Sequence, residues 1–175
     1  MSERSMLNRK TMIRNGLLLG GLALGLLSAP SPGRAEVLYK LETTCSIKGG
    51  APFPCTVEAT DQGTETIYKH TWAGGTESFR VTDSPIRMDR WLAATKQWQP
   101  LTQAGARFST NTVCFNGLDF CVVNPNYLNS VSQSNATATA QRDLVRVHFG
   151  ADGRVDITCY DDGCALIQKL APVKK

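Results

Sequence analysis

The sequence predicts an all-β domain: one antiparallel meander of about ten short strands, closed as a barrel or folded as a β-sandwich. Three observations carry that expectation. Short runs rich in β-branched and aromatic residues recur between clusters of Gly, Pro, Asn and Asp, helical periodicity is nearly absent, and the six cysteines each stand beside turn residues. Closure into a barrel removes exposed strand edges, which a sandwich retains. The sequence is compatible with both.

Along the first strand, Val37, Tyr39, Leu41, Thr43 and Cys45 alternate. Pro54 to Ala59 supplies a second, and Thr64 to Trp72 a third after the turn Asp61-Gln62-Gly63. Ala73-Gly74-Gly75 leads into a fourth, where Phe79 and Val81 share a face, and Asp83-Ser84-Pro85 turns the chain again. Ile86 to Leu92 and Gln97 to Leu101 flank the loop Ala93-Ala94-Thr95-Lys96, a spacing that sets Trp91 opposite Trp98. Arg107 to Phe115 and Leu118 to Val123 make the next hairpin. The last joins Leu144–Phe149 to Arg154–Tyr160 through Gly150-Ala151-Asp152-Gly153, with Val145, Val147 and Phe149 on a buried face and Arg146 and His148 on a wet one.

Two stretches break this rhythm. Asn124 followed by Pro125 reads as a cap and first position of one short helical turn across 125–131. Ser132 to Gln141, SQSNATATAQ, reads as a flexible polar loop inside the domain. The glycosylation sequon Asn135-Ala136-Thr137 falls in it and carries no weight in a bacterial chain, which the N-terminal segment suggests.

That segment, residues 1–35, reads as an export signal. Arg4, Arg9, Lys10 and Arg14 precede the apolar run GLLLGGLALGLLSA (16–29), which is too short to span a bilayer. Pro30 and Pro32 break any continuing helix, and small residues flank a cut after Ala35. The competing reading, a retained anchor, is opposed by the charged and amphipathic sequence that follows at once. Arg9-Lys10-Thr11-Met12-Ile13 resembles the twin-arginine export motif with lysine in its second place. The expected mature chain, residues 36–175, is a single β domain without a membrane span, secreted or periplasmic.

The basic excess of +4 lies in the signal, and fourteen basic and fourteen acidic residues follow Ala35. A neutral chain with scattered Lys and Arg offers neither a nucleic-acid groove nor a polybasic membrane patch. Partners are therefore expected to be a protein or a small ligand.

Cys45, Cys55, Cys114, Cys121, Cys159 and Cys164 all lie beyond Ala35, and an even count outside the reducing cytoplasm favours disulfides. Pairing neighbours closes short loops around Gly49-Gly50, Asn116-Gly117 and Asp161-Asp162-Gly163, although six cysteines formally allow fifteen connectivities. A four-residue loop Asn116–Asp119 sets Cys114 opposite Cys121, whereas a two-residue Asn-Gly turn requires a bulge. The same hairpin geometry suits Cys159 and Cys164. Zinc is disfavoured because no C-x2-C knuckle or neighbouring histidine is present, and redox work because Asp161 and Asp162 oppose a thiolate.

No catalytic, cofactor-binding or metal residue is assigned. G-x-S-x-G and H-E-x-x-H are absent, and the Asp152-Gly153 and Asp161-Asp162-Gly163 stretches lack the oxygen spacing and closing Glu of a calcium loop. His70 and His148 matter chemically only if they meet near a carboxylate in a cleft. The most usable binding feature is aromatic: Trp91 and Trp98, with Tyr68 or Trp72 nearby, as a platform for a sugar ring or a partner's side chain. The alternative is that these rings fill the core. A non-catalytic binding domain is thus expected ahead of an envelope-associated structural protein or an enzyme with an unreadable site. A hollow interior would point to a small ligand and a filled one to surface recognition.

Overall fold

A computed structural model describes residues 35–170. The export signal read over residues 1–35 therefore lies outside the described residues except for Ala35. Eleven strands form one antiparallel sheet: β1 (Glu36–Ile47), β2 (Phe53–Asp61), β3 (Glu65–Trp72), β4 (Gly75–Asp83), β5 (Ile86–Leu92), β6 (Gln97–Pro100), β7 (Gln103–Arg107), β8 (Thr112–Phe115), β9 (Phe120–Val123), β10 (Leu144–Phe149) and β11 (Val155–Tyr160). Their order is β11-β10-β7-β8-β9-β1-β2-β3-β4-β5-β6, curled as a half-barrel rather than closed or folded into two layers.

The sheet is not one uninterrupted meander. β1 to β6 follow each other, but only Leu101 and Thr102 separate edge strand β6 from β7, which pairs with β8 and β10. Leu101 is buried, its N–H donating to the Met88 carbonyl at 2.9 Å, and the Phe149 N–H donates to the Thr102 carbonyl at 3.0 Å. An isolated backbone bridge between Arg87 and Arg154 brings the start of β5 to the β10–β11 turn. The stretch expected as one strand from Arg107 to Phe115 is broken by a turn, where the Asn111 N–H returns to the Phe108 carbonyl.

Cross-strand register fixes the two faces, because directly opposed residues point the same way. Val57 opposes His70, Tyr68 opposes Phe79, Val81 opposes Met88, and Phe115 opposes Phe120. These residues line the concave face, where Phe79 stacks on Phe115 with ring centroids 3.8 Å apart. Burying such rings removes several hundred square ångströms of apolar area from water, the main stabilising term here.

Helical structure exceeds the expectation. α1 (Pro125–Ser134) extends the expected turn through Ser134, and α2 (Ala136–Thr139) follows, so much of the segment 132–141, expected as a loop, is helical. Asn124 caps α1 by accepting the Tyr127 N–H at 3.1 Å, and Leu128 on α1 is 1% exposed against the core. That tertiary contact outweighs the polar composition of the segment. α3 (Asp161–Leu170) replaces the second arm of the expected Cys159–Cys164 hairpin.

All three disulfides join sequence neighbours: Cys45–Cys55, Cys114–Cys121 and Cys159–Cys164. Cys114 does oppose Cys121, with Asn116 and Gly117 both at positive φ in the four-residue loop. Cys159–Cys164 instead ties the end of β11 to the first turn of α3. Asp161, at φ 44°, makes that junction by accepting the Asp143 and Leu144 N–H groups at 3.0 and 2.9 Å.

Candidate functional site

The interior is filled. Among the described residues its cavity amounts to about 10 Å³, lined by Tyr68, His70, Phe115, Asn124 and Tyr127 among others. That is room for about one water and far below the roughly 300–1,000 Å³ of a ligand pocket. Tyr39 donates its hydroxyl to Asn124 Oδ1 at 3.1 Å beside this cavity, and Tyr68 meets Tyr127 edge-to-face at 5.3 Å. Burial pushes the Tyr39, Tyr68 and Tyr127 phenols up from their ordinary value, so all three stay protonated.

His70 is 1% exposed and sits among the rings of Phe79, Phe115 and Phe120, the last at 4.9 Å. Burial lowers its pKa to about 4, with backbone groups of Glu77 and Tyr68 offsetting part of that push, and its Nδ1 has no hydrogen-bond partner among the described residues. His148 lies on the other face of the sheet, since its neighbour Val147 opposes the buried Ala104. The two histidines therefore do not converge.

The expected aromatic group is likewise divided. Tyr68 and Trp72 belong to the concave side, where Trp72 packs 5.9 Å from Phe120 and 5.6 Å from Phe53. Trp91 and Trp98 face the convex side, opposed across β5 and β6 as the loop length requires, with centroids 5.3 Å apart and ring planes at 62°. Both are half-buried, so each retains open ring surface.

Around this pair the convex face carries charges that the sequence reading missed. Asp89 opposes Arg80 across β4 and β5, and Arg80 donates to Asp89 Oδ2 through Nε at 3.1 Å and Nη2 at 2.9 Å. Its Nη1 also lies 3.4 Å from Glu65, and its guanidinium stacks 4.9 Å over the Trp98 ring. The alternation of β4 and β5 placed these side chains together only once the strand register was fixed. Nothing in the local sequence marks Arg80 above the other arginines.

Two grooves flank the tryptophans. One, about 410 Å³, lies where β5 meets the β10–β11 turn and is lined by Glu65, Arg80, Arg87, Asp89, Pro100 and Asp152 among others. The other, about 500 Å³, opens at the β5–β6 turn beside Lys69, Ser78, Arg90 and Trp91. Arg90 there is held by Glu77 through paired hydrogen bonds of 2.6 and 2.8 Å. Both volumes fall in the range of ligand-binding clefts.

Comparison with known proteins gives no further guide: no family model, curated protein or solved structure matches the chain. Three disulfides are compatible with an oxidising location, and among the described residues no helix is long and apolar enough to cross a membrane.

Proposed function

We propose that the protein is a secreted or periplasmic, non-catalytic binding domain whose recognition surface is the convex face of β3–β6 centred on Trp91 and Trp98. One observation carries this reading: the interior is packed to a residual cavity of about 10 Å³, while the half-buried tryptophan pair stands between open grooves of about 410 and 500 Å³. Half-buried aromatic rings beside arginines are the side chains that dominate binding energy at recognition surfaces. Continuous pairing of β3 through β6 and the Arg80–Asp89 ion pair across β4 and β5 favour a preformed surface over one ordered on binding.

The test compares the wild-type chain with a Trp91→Ala/Trp98→Ala variant, both on an oligosaccharide array and by crosslinking in the extracellular fraction. A specific ligand or partner retained by the wild type should bind the variant at least about 30-fold more weakly, as for a hot spot of 2 kcal/mol or more. Equal binding by the two proteins removes this surface from consideration. Absence of any binder leaves the structural, envelope-associated role as the better account.

A further inference from the structure

β1 is the longest strand, and most of it lacks a neighbour on one side. β2 pairs along it from Glu36 to Cys45, whereas β9 reaches only Cys45, Ser46 and Ile47 before it ends at Val123 and the chain turns into α1. Lys48 shows which backbone groups are left over. Its N–H donates to the Asp119 carbonyl at 3.1 Å, and alternation along the strand turns the N–H and C=O groups of Glu42 and Lys40 to that same side. Among the described residues no backbone group bonds them there. An open edge of this kind is a template for one more strand.

Charge identifies that strand. In an antiparallel ladder only residues of the same alternation oppose each other, so the two-fold axis of a β1–β1 pair passes through one residue. An axis through Lys40 opposes two lysines and one through Glu42 two glutamates, both repulsive. An axis through Tyr39 meets the bulge at Leu38, and one through Thr43 meets β9. Through Leu41 the axis sets Lys40 against Glu42 of the second copy, and Glu42 against its Lys40. These residues also exchange backbone hydrogen bonds, two for each opposed pair. Lys40 and Glu42 are exposed, and neither forms an ion pair among the described residues. The same register brings Leu38, 51% exposed beside Val37 at 56%, opposite Thr44 of the second copy at the end of its β9. Apolar surface that a monomer leaves in water is thereby covered.

From this we infer that the protein forms a two-fold dimer through the open edge of β1, with Leu41 on the axis and Lys40 and Glu42 paired between copies. The inference does not depend on what the convex face binds. A dimer carries two such faces and so engages a target with repeated sites twice.

The test is sedimentation equilibrium of the oxidised, exported protein from about 5 to about 500 µM, because an interface this small is expected to associate weakly, with a micromolar Kd. Lys40→Glu and Glu42→Lys each place like charges opposite at both pairs and should weaken self-association at least about tenfold. Mixed one to one, the two variants should form a heterodimer close to wild-type affinity, because the two lysines of one chain then oppose the two glutamates of the other. In unaltered protein, a zero-length carbodiimide crosslinker applied to mixed light- and heavy-nitrogen chains should join Lys40 of one copy to Glu42 of the other. That readout is independent of how the variants fold.

A monomer throughout the concentration range overturns the inference, including one whose β1 edge takes up a strand of another protein instead. So does a dimer indifferent to both charge reversals, or a crosslink between copies that joins other residues only. A variant mixture that stays monomeric, although each variant keeps the wild-type circular dichroism, has the same meaning.

Discussion

Acidification between pH 7 and pH 4 should destabilise this fold through one side chain, His70. Its pKa falls from 6.5 to about 4 on folding because the ring is buried among Phe79, Phe115 and Phe120. With the folded value below the unfolded one, the unfolded chain takes up the proton first. Stability is therefore complete above pH 6.5 and declines as pH falls toward 4. Integrating that difference gives a loss of about 2 kcal/mol by pH 5 and about 3 kcal/mol by pH 4, a substantial share of the total for a domain this size. Asp143 and Asp161, whose carboxyls are held below their ordinary 3.8 by hydrogen bonds from Ser109 and from the Leu144 and Asp143 N–H groups, lose their contribution only at lower pH. Urea unfolding at pH 7.5, 6 and 5 measures the decline, and His70→Leu isolates its source, since a leucine in that apolar site has no proton to bind. The variant should have an almost flat profile across the same interval. An equally steep profile in His70→Leu would refute the assignment, as would a wild type indifferent to pH between 7 and 5.

Three further outcomes follow from the same packing. Above pH 10 the fold should weaken again, because Tyr39, Tyr68 and Tyr127 hold their protons when buried while the unfolded chain loses them at about the ordinary phenol value; phenolate absorbance rising together with loss of near-ultraviolet circular dichroism checks this. Leu128→Ala empties a fully buried site beneath α1 and should cost about 2–5 kcal/mol in urea unfolding, whereas a cost under 0.5 kcal/mol would mean that α1 is not docked. Cys45→Ala with Cys55→Ala should lower stability by about 2–3 kcal/mol, the chain-entropy value for a short closed loop, without abolishing folding, and thermal unfolding of reduced and oxidised forms provides the comparison.

The hairpins were legible because their determinants are local. The loop Ala93–Lys96 counts Trp91 into register with Trp98, and Asn116–Asp119 counts Cys114 into register with Cys121, since strand side chains repeat with period two and loop length sets which residues oppose. Cys159 and Cys164 show the limit of that reasoning. Their spacing fits a hairpin equally well, but Asp161 in the left-handed region caps neighbouring backbone N–H groups and α3 begins there instead. The segment 132–141 reads as loop by composition and is helical in large part because Leu128 anchors the preceding turn in the core.

By itself the sequence determined the strand class, the balanced charge beyond Ala35, the neighbour pairing of cysteines as the simplest arrangement, and the opposition of Trp91 and Trp98. Each depends on residues a few positions apart. Tertiary structure decided the rest: that Tyr68 and Trp72 turn into the core while Trp91 and Trp98 turn out, that the sheet curls as a half-barrel, and that Arg80 pairs with Asp89 and Glu65. Those outcomes depend on which strands become neighbours across long loops, and the free energy of that choice is collective burial, which no short stretch of sequence contains.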